Sequence, residues 1–113
     1  GRAMSQRWHD LTAFRRDVLA AVSHLETYED GAVYGLAIKR ELQGRREREI
    51  NHGQLYPNLD ALVAADLLEK RDLDGRTNEY RLTEEGAQLL RNRLQRLALD
   101  CGVRDDSPIP ADP

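Results

Sequence analysis

The sequence predicts a mainly α chain with one small β-hairpin, and three observations predict it. Apolar residues recur at three- and four-residue spacing in several separate runs, as on helices buried along one face. Between them, Glu69 to Leu82 reads as two extended runs around Asp74-Gly75, a strong tight-turn signal. A last amphipathic run follows Thr83, a residue suited to opening a helix.

Asp10 can cap the first helix, whose inward residues are Leu11, Phe14, Val18, Val22 and Leu25. Tyr28 to Ala32 is a break. Val33 to Gln43 reads as a short second helix with Leu36, Ile38 and Leu42 inward, and Gly44 suits its C-terminal end. Arg45 to Glu49 is a charged connection.

The third helix opens with strong local signals. Asn51 can accept from first-turn amides, and Gln54 stands three residues on, at capping-box spacing. Ile50 and Leu55 are placed to form a hydrophobic staple around that cap. Leu55, Leu59 and Leu62 give the buried face, and the helix is expected to run to about Leu68. Two residues are out of place in a helix built only to pack. Gly53 costs roughly 1 kcal/mol against Ala. Pro57 lies past the first turn and removes the bond to the Gly53 carbonyl.

In the hairpin, Tyr80 and Leu82 share one strand face and are expected to pack inward. Thr83 caps the last helix, with Glu84 and Glu85 favourable at its positive end. Ala87, Leu90, Leu94, Leu97 and Cys101 then alternate at three and four residues, a coiled-coil seam. So small a domain offers that seam few internal partners, so it is expected to meet its own copy across a two-fold axis. The order of helix, helix, helix, hairpin, helix is the winged helix-turn-helix with an added dimerisation helix. The expected division is residues 1–9 as an expression scar and N-terminal arm, 10–82 as the DNA-binding domain, 83–102 as the dimerisation helix, and 103–113 as a disordered acidic tail.

Bulk properties bound the function. The chain has 113 residues, enough for one modest core, and a third of them are charged. No apolar run approaches the roughly 18 residues of a membrane span, and no leader segment is visible. Cys101 is the one cysteine, so no intrachain disulfide forms; a reducing, cytoplasmic setting fits. The formal charge is -3, which argues on its face against nucleic acid. Its distribution argues otherwise. Lys39, Arg40, Arg45, Arg46 and Arg48 cluster within ten residues, against Glu41 and Glu47, while the end from Asp105 is acidic. Lysine is scarce beside arginine, as in a GC-rich genome or a salt-loving host.

In a helix-turn-helix the start of the second helix of the pair enters the major groove. A glycine there lets the backbone approach a phosphate, and free amides at a helix start favour an anion. That reading explains Gly53; the rival is a core helix merely kinked at Pro57.

The same residues carry a family resemblance. Tyr34 to Leu42, Ile50 to Lys70 and Gly75 to Leu90 resemble the PadR family of transcriptional regulators, over roughly Leu11 to Leu97. Gly53-x-Leu55-Tyr56-Pro57-x-Leu59-x-x-Leu62 is the most specific piece. Gly75-Arg76, then Tyr80-x-Leu82-Thr83-x-x-Gly86, supports it at the right distance. The resemblance implies a winged helix with a C-terminal dimerisation helix, acting on double-stranded DNA in repression or activation. It also implies a phosphate contact at Tyr34 and Gly35. The short last helix resembles the compact subgroup, and the flavour of "INHGQLYPNLD" and "RTNEY" resembles haloarchaeal members. Two departures stand out: Thr77, Asn78 and Glu79 follow Arg76 where many members are more basic, and Gln54 replaces Thr or Ser.

For each candidate there are two roles. Gln54 can bond adenine through its amide or close the capping box. His52 and Asn58 are taken as exposed at the same tip, touching phosphate or water. Tyr56 can donate to phosphate or pack. Arg45, Arg46 and Arg48 contact DNA or remain solvated. Arg76, with Thr77 and Asn78 beside it, can enter a narrow minor groove or sit in a solvated turn. Cys101 fills the seam or forms an intersubunit disulfide. Trp8 and His9 are expected to pack where the N-terminus meets the dimer. His9, His24 and His52 lack ligand spacing, so no metal is expected, and no cofactor or catalytic residue stands out. The expected function is a homodimeric, sequence-specific regulator on an inverted-repeat operator. The rivals are a winged helix used only for protein contacts and a metal-responsive one.

Overall fold

A computed structural model of the chain describes residues 4–103. The expected scar at 1–3 and the expected acidic tail from 104 lie outside the described residues. The order is α1 (Met4–Asp10), α2 (Ala13–Tyr28), α3 (Gly35–Arg46), α4 (His52–Ala64), β1 (Leu68–Asp72), β2 (Asn78–Leu82) and α5 (Glu84–Asp100).

Thr12, rather than Asp10, opens the first long helix. Its hydroxyl accepts from the Arg15 amide at 3.2 Å, while Asp10 ends a separate short helix. The expected arm is therefore helical. It is bound to the last helix, with Arg7 paired to Glu85 and the Arg93 guanidinium 5.9 Å from the Trp8 ring centroid. Arg16 of α2 lies over the same ring at 5.6 Å.

Apolar spacing builds the core as expected in kind. Phe14, Val18, Leu19 and Val22 of α2 meet Ile38 and Leu42 of α3, and Leu55, Leu59 and Leu62 of α4. Leu36 is the exception: it faces solvent, because α3 begins only at Gly35 and turns that flank outward. Val33 and Tyr34 are extended rather than helical. The Tyr80 amide donates to the Val33 carbonyl at 2.8 Å, so this segment adds a third rung beside the hairpin.

Two helix ends differ from expectation for one reason. α3 runs through Gly44 to Arg46 and stops where Glu47 turns left-handed at φ 53°. α4 stops at Ala64, four residues early. Asp66 takes φ 64°, and the Asp66 and Leu67 amides donate back to Val63 and Leu62. That is a Schellman ending with no glycine to announce it. It turns Leu67 and Leu68 into the core and starts β1.

β1 and β2 pair antiparallel with Leu68 opposite Leu82 and Asp72 opposite Asn78. The connection is a five-residue loop, Leu73 to Thr77, rather than a two-residue turn at Asp74-Gly75. Asp72 accepts from the Asp74 and Gly75 amides, and Asp74 from the Arg76 and Thr77 amides. Tyr80 is fully buried. Thr83 caps α5 at the Gly86 amide, at 2.9 Å. Among the described residues no helix is long and apolar enough to cross a membrane.

Candidate nucleic-acid interface

Three elements converge on one face: the start of α3, the first two turns of α4 and the loop of the hairpin. Around a cavity of about 440 Å³ they bring together Tyr34, Gly35, Tyr56, Arg76, Thr77 and Asn78. Leu36 also lines it, and the sequence had assigned that residue to the core. Lys39 follows Leu36 by one helical turn on the same flank.

Gly35 lets the Tyr56 ring come close at this junction. A Cβ there would stand 2.7 Å from the Tyr56 hydroxyl oxygen. Tyr56 therefore packs against the start of α3, and its ring also stacks on His52, with centroids 5.4 Å apart and planes 11° apart. The stack carries the face outward from the cavity to the tip of α4. Tyr34 is the N-cap of α3 but makes no side-chain cap bond. The first turn of α3 therefore has no side-chain cap, and uncapped amides at a helix start favour an anion.

The tip of α4 consists of Asn51, His52, Gly53 and Gln54, all exposed. Asn51 Oδ1 accepts from the Gln54 amide at 2.8 Å. Only that half of the capping box forms. The Gln54 side chain makes no hydrogen bond among the described residues, so its amide is left over. Gly53 has no internal reason to be glycine. Its φ is not positive, and a Cβ would meet nothing closer than Asn51 Oδ1 at 3.4 Å.

Asn58 differs from the expected exposed contact. It is half-buried and both ends of its amide are occupied, by Arg15 Nε at 2.8 Å and by the Gln54 carbonyl at 2.7 Å. Nothing in the sequence links Arg15 to this tip, 43 residues away.

The arginines separate into two kinds. Arg45 and Arg46 belong to the last turn of α3, not to a loop. Arg45 is paired with Glu41 at 2.7 Å. Arg46 is half-buried, paired with Asp17, and its guanidinium carbon lies 5.2 Å from the Phe14 ring centroid. It is tied into the packing of α2 on α3. Lys39, Arg48 and Arg76 have no acidic partner among the described residues.

Two titrating groups flank the face. Hydrogen bonds from the Arg76 and then the Thr77 amide hold the Asp74 carboxyl below its usual range. Burial, reinforced by Asp60 and Tyr56, pushes the Tyr80 hydroxyl up to about 12. That hydroxyl is buried without a hydrogen-bond partner among the described residues. Among the described residues no group of three or more His, Cys, Asp or Glu is placed to hold a metal ion.

At the other end of the molecule, α5 carries the expected seam in two parts. Ala87 and Leu90 are half-buried, and Leu90 packs on the core. Leu94 and Leu97 are 48% and 43% exposed, and Cys101 is exposed at the helix end. The inner half of the seam therefore finds partners within the domain.

The transcriptional regulator PadR-like family matches residues 24–92. The chain belongs to that family. The match covers α3, α4, the hairpin and the start of α5, and so all three elements of the face. No curated protein matches the chain. Among solved structures, RosR of H. salinarum is 45% identical, with a TM-score of 0.74 over 86% of this chain and 83% of that one. The complex structure of hsRosR-S1 is likewise 45% identical, with a TM-score of 0.75 over 87% of this chain and 82% of that one. F93 from STIV, a winged-helix DNA-binding protein, is 17% identical with a TM-score of 0.61, covering 83% of this chain and 99% of that one. At that identity it speaks for the fold alone, which is the winged helix. The chain is thus a winged-helix member of a family of transcriptional regulators.

Proposed function

We propose that the protein regulates transcription as a homodimer on an inverted-repeat operator, with α4 in the major groove and the hairpin loop over the minor groove. The observation that carries this reading is Gly53. It sits in the first turn of a helix at a cost of roughly 1 kcal/mol, and nothing among the described residues requires it. A ligand that must approach the backbone supplies the missing reason. That ligand is anionic and extended, because the start of α3 has no side-chain cap and Arg76, Lys39 and the Gln54 amide have no side-chain partner among the described residues.

Gln54 is the residue assigned to base reading, and His52, Gly53, Tyr34, Gly35 and Tyr56 to the phosphates around it. Asn51 serves as the cap that shapes the tip. Arg76, flanked by Thr77 and Asn78, reaches the minor groove; Lys39 and Arg48 add positive charge, while Arg45 is already paired with Glu41. Arg46 is given a structural role, since Asp17 already neutralises it. The exposed Leu94 and Leu97, with Cys101 beyond them, face the second copy. A two-fold pair would present its two α4 tips about 34 Å apart, one turn of DNA.

The test is binding to duplex DNA across a salt series. Affinity should fall steeply as salt rises, and Arg76→Ala should make that dependence shallower. A flat response would instead support a module for protein contacts, which the charge of -3 would suit. The dimer is tested separately by sedimentation. Leu94→Asp combined with Leu97→Asp should give a folded monomer with weakened operator binding. A persistent dimer would place the interface elsewhere.

A further inference from the structure

The tip that carries Gln54 contains two residues unfavourable in a helix. Gly53 lowers its helix propensity, and Pro57 has no N–H to give the Gly53 carbonyl. A side-chain relay offsets both. Arg15 Nε donates to Asn58 Oδ1 at 2.8 Å, and Asn58 Nδ2 donates onward to the Gln54 carbonyl at 2.7 Å. The amide of Asn58 can serve both partners in only one orientation, because the flipped amide would set donor against donor and acceptor against acceptor. The relay ends on α2, where Phe14 and Val18, on either side of Arg15, are buried in the core.

We infer that Arg15 and Asn58 are positioning residues for base readout: they anchor the Gln54 backbone to the core so that its free side chain meets a base edge in one geometry. The inference rests on the reading that α4 enters the major groove. A bidentate amide–base contact depends on direction as well as reach, so a tip free to tilt would still meet the phosphates but would discriminate bases poorly. Asn58 thereby acts through Gln54 and does not itself read a base.

The test begins with operators selected by the full-length protein from a random duplex library. Affinities are then measured for the best site, for its single-base variants and for unrelated duplex. Asn58→Ala, Arg15→Met and the charge-keeping Arg15→Lys should each reduce discrimination at one base position by about tenfold, equivalent to roughly 1.4 kcal/mol. For Asn58→Ala and Arg15→Lys, affinity for unrelated duplex should stay within about twofold and the salt dependence should not change. In a Gln54→Ala background the further loss should vanish, because the relay works only through that side chain. In the DNA-free protein, exchange of the Gln54 and Leu55 amides, which bond to Asn51, should quicken in Asn58→Ala while the second half of α4 stays protected.

The relay is overturned if Gln54→Ala relaxes the preference but the Arg15 and Asn58 variants do not. It is equally overturned if their loss persists undiminished in the Gln54→Ala background, or if exchange at the tip is unchanged. If Gln54→Ala leaves the preference intact, both the relay and the assignment of Gln54 fall. Absence of any salt-dependent DNA binding by the wild-type protein would defeat the parent reading itself.

Discussion

Two helices of this protein start on the same plan and face opposite worlds. α4 is capped by Asn51 at the Gln54 amide, α5 by Thr83 at the Gly86 amide, at 2.8 and 2.9 Å. Each carries a glycine in its first turn. At Gly86 a Cβ would lie 2.2 Å from the Leu67 carbonyl oxygen, so α5 can pack on the start of β1 only without a side chain there. At Gly53 a Cβ would meet nothing nearer than 3.4 Å. One glycine is demanded from inside the molecule. The other has no such cause among the described residues, and the proposed DNA contact at the tip of α4 would supply one.

Substitution at these positions should pull the two apart. Gly86→Ala is expected to have the largest effect, a loss of about 3 kcal/mol in chemical denaturation, because the clash is with backbone. A negligible loss would mean that α5 can slide outward. Tyr80→Phe comes next and should raise stability by about 1 kcal/mol, since it removes a buried hydroxyl that has no partner. The same hydroxyl predicts alkaline behaviour. Its folded pKa, about 12, exceeds the ordinary value of 10.0, so the neutral form is favoured by the fold. That contribution is complete below pH 10 and is lost as pH rises through about 12. In ultraviolet titration of the four tyrosines, one should ionise late and together with unfolding.

Gly53→Ala should behave in the reverse sense to Gly86→Ala. Helix propensity should stabilise the fold by up to about 1 kcal/mol, while affinity for DNA drops about tenfold. A variant that gains stability and keeps full affinity would end the contrast between the two glycines. The smallest effect belongs to the hairpin loop. The lowered pKa of Asp74 means that its carboxylate bonds are present above the ordinary value of 3.8 and lost as pH falls through the lower folded value. The Arg76 and Thr77 amide resonances should shift in that acid window while the core amides do not.

Much of the fold was legible in the sequence because its signals are local. Asn51 and Thr83 announced their helices through bonds spanning three residues. The apolar spacing selected Leu55, Leu59, Leu62 and Tyr80 for the interior, and all four are buried. What misled was equally specific. α3 and α4 end on Glu47 and Asp66, non-glycine residues in a left-handed conformation, so no glycine marked the stop. Gly44, which did look like a stop, lies inside α3. Leu36 has the residue type of a core position and the register of a surface one. The short α1 was missed because its hydrophobic residues, Met4 and Trp8, make sense only against the rest of the molecule.

The chain alone determined the order of helices and hairpin, the two caps, the glycine without an internal purpose and the family signature, since each is encoded in residues near one another along the backbone. Tertiary structure decided which polar groups are available. It consumed Arg46 on Asp17 and Phe14, tied Asn58 to Arg15, and left Gln54, Arg76 and Lys39 without a side-chain partner among the described residues. A cap reaches three residues and can be read from spacing; a guanidinium finds its partner across 29 or 43 residues, and only the packed helices bring them within bonding range.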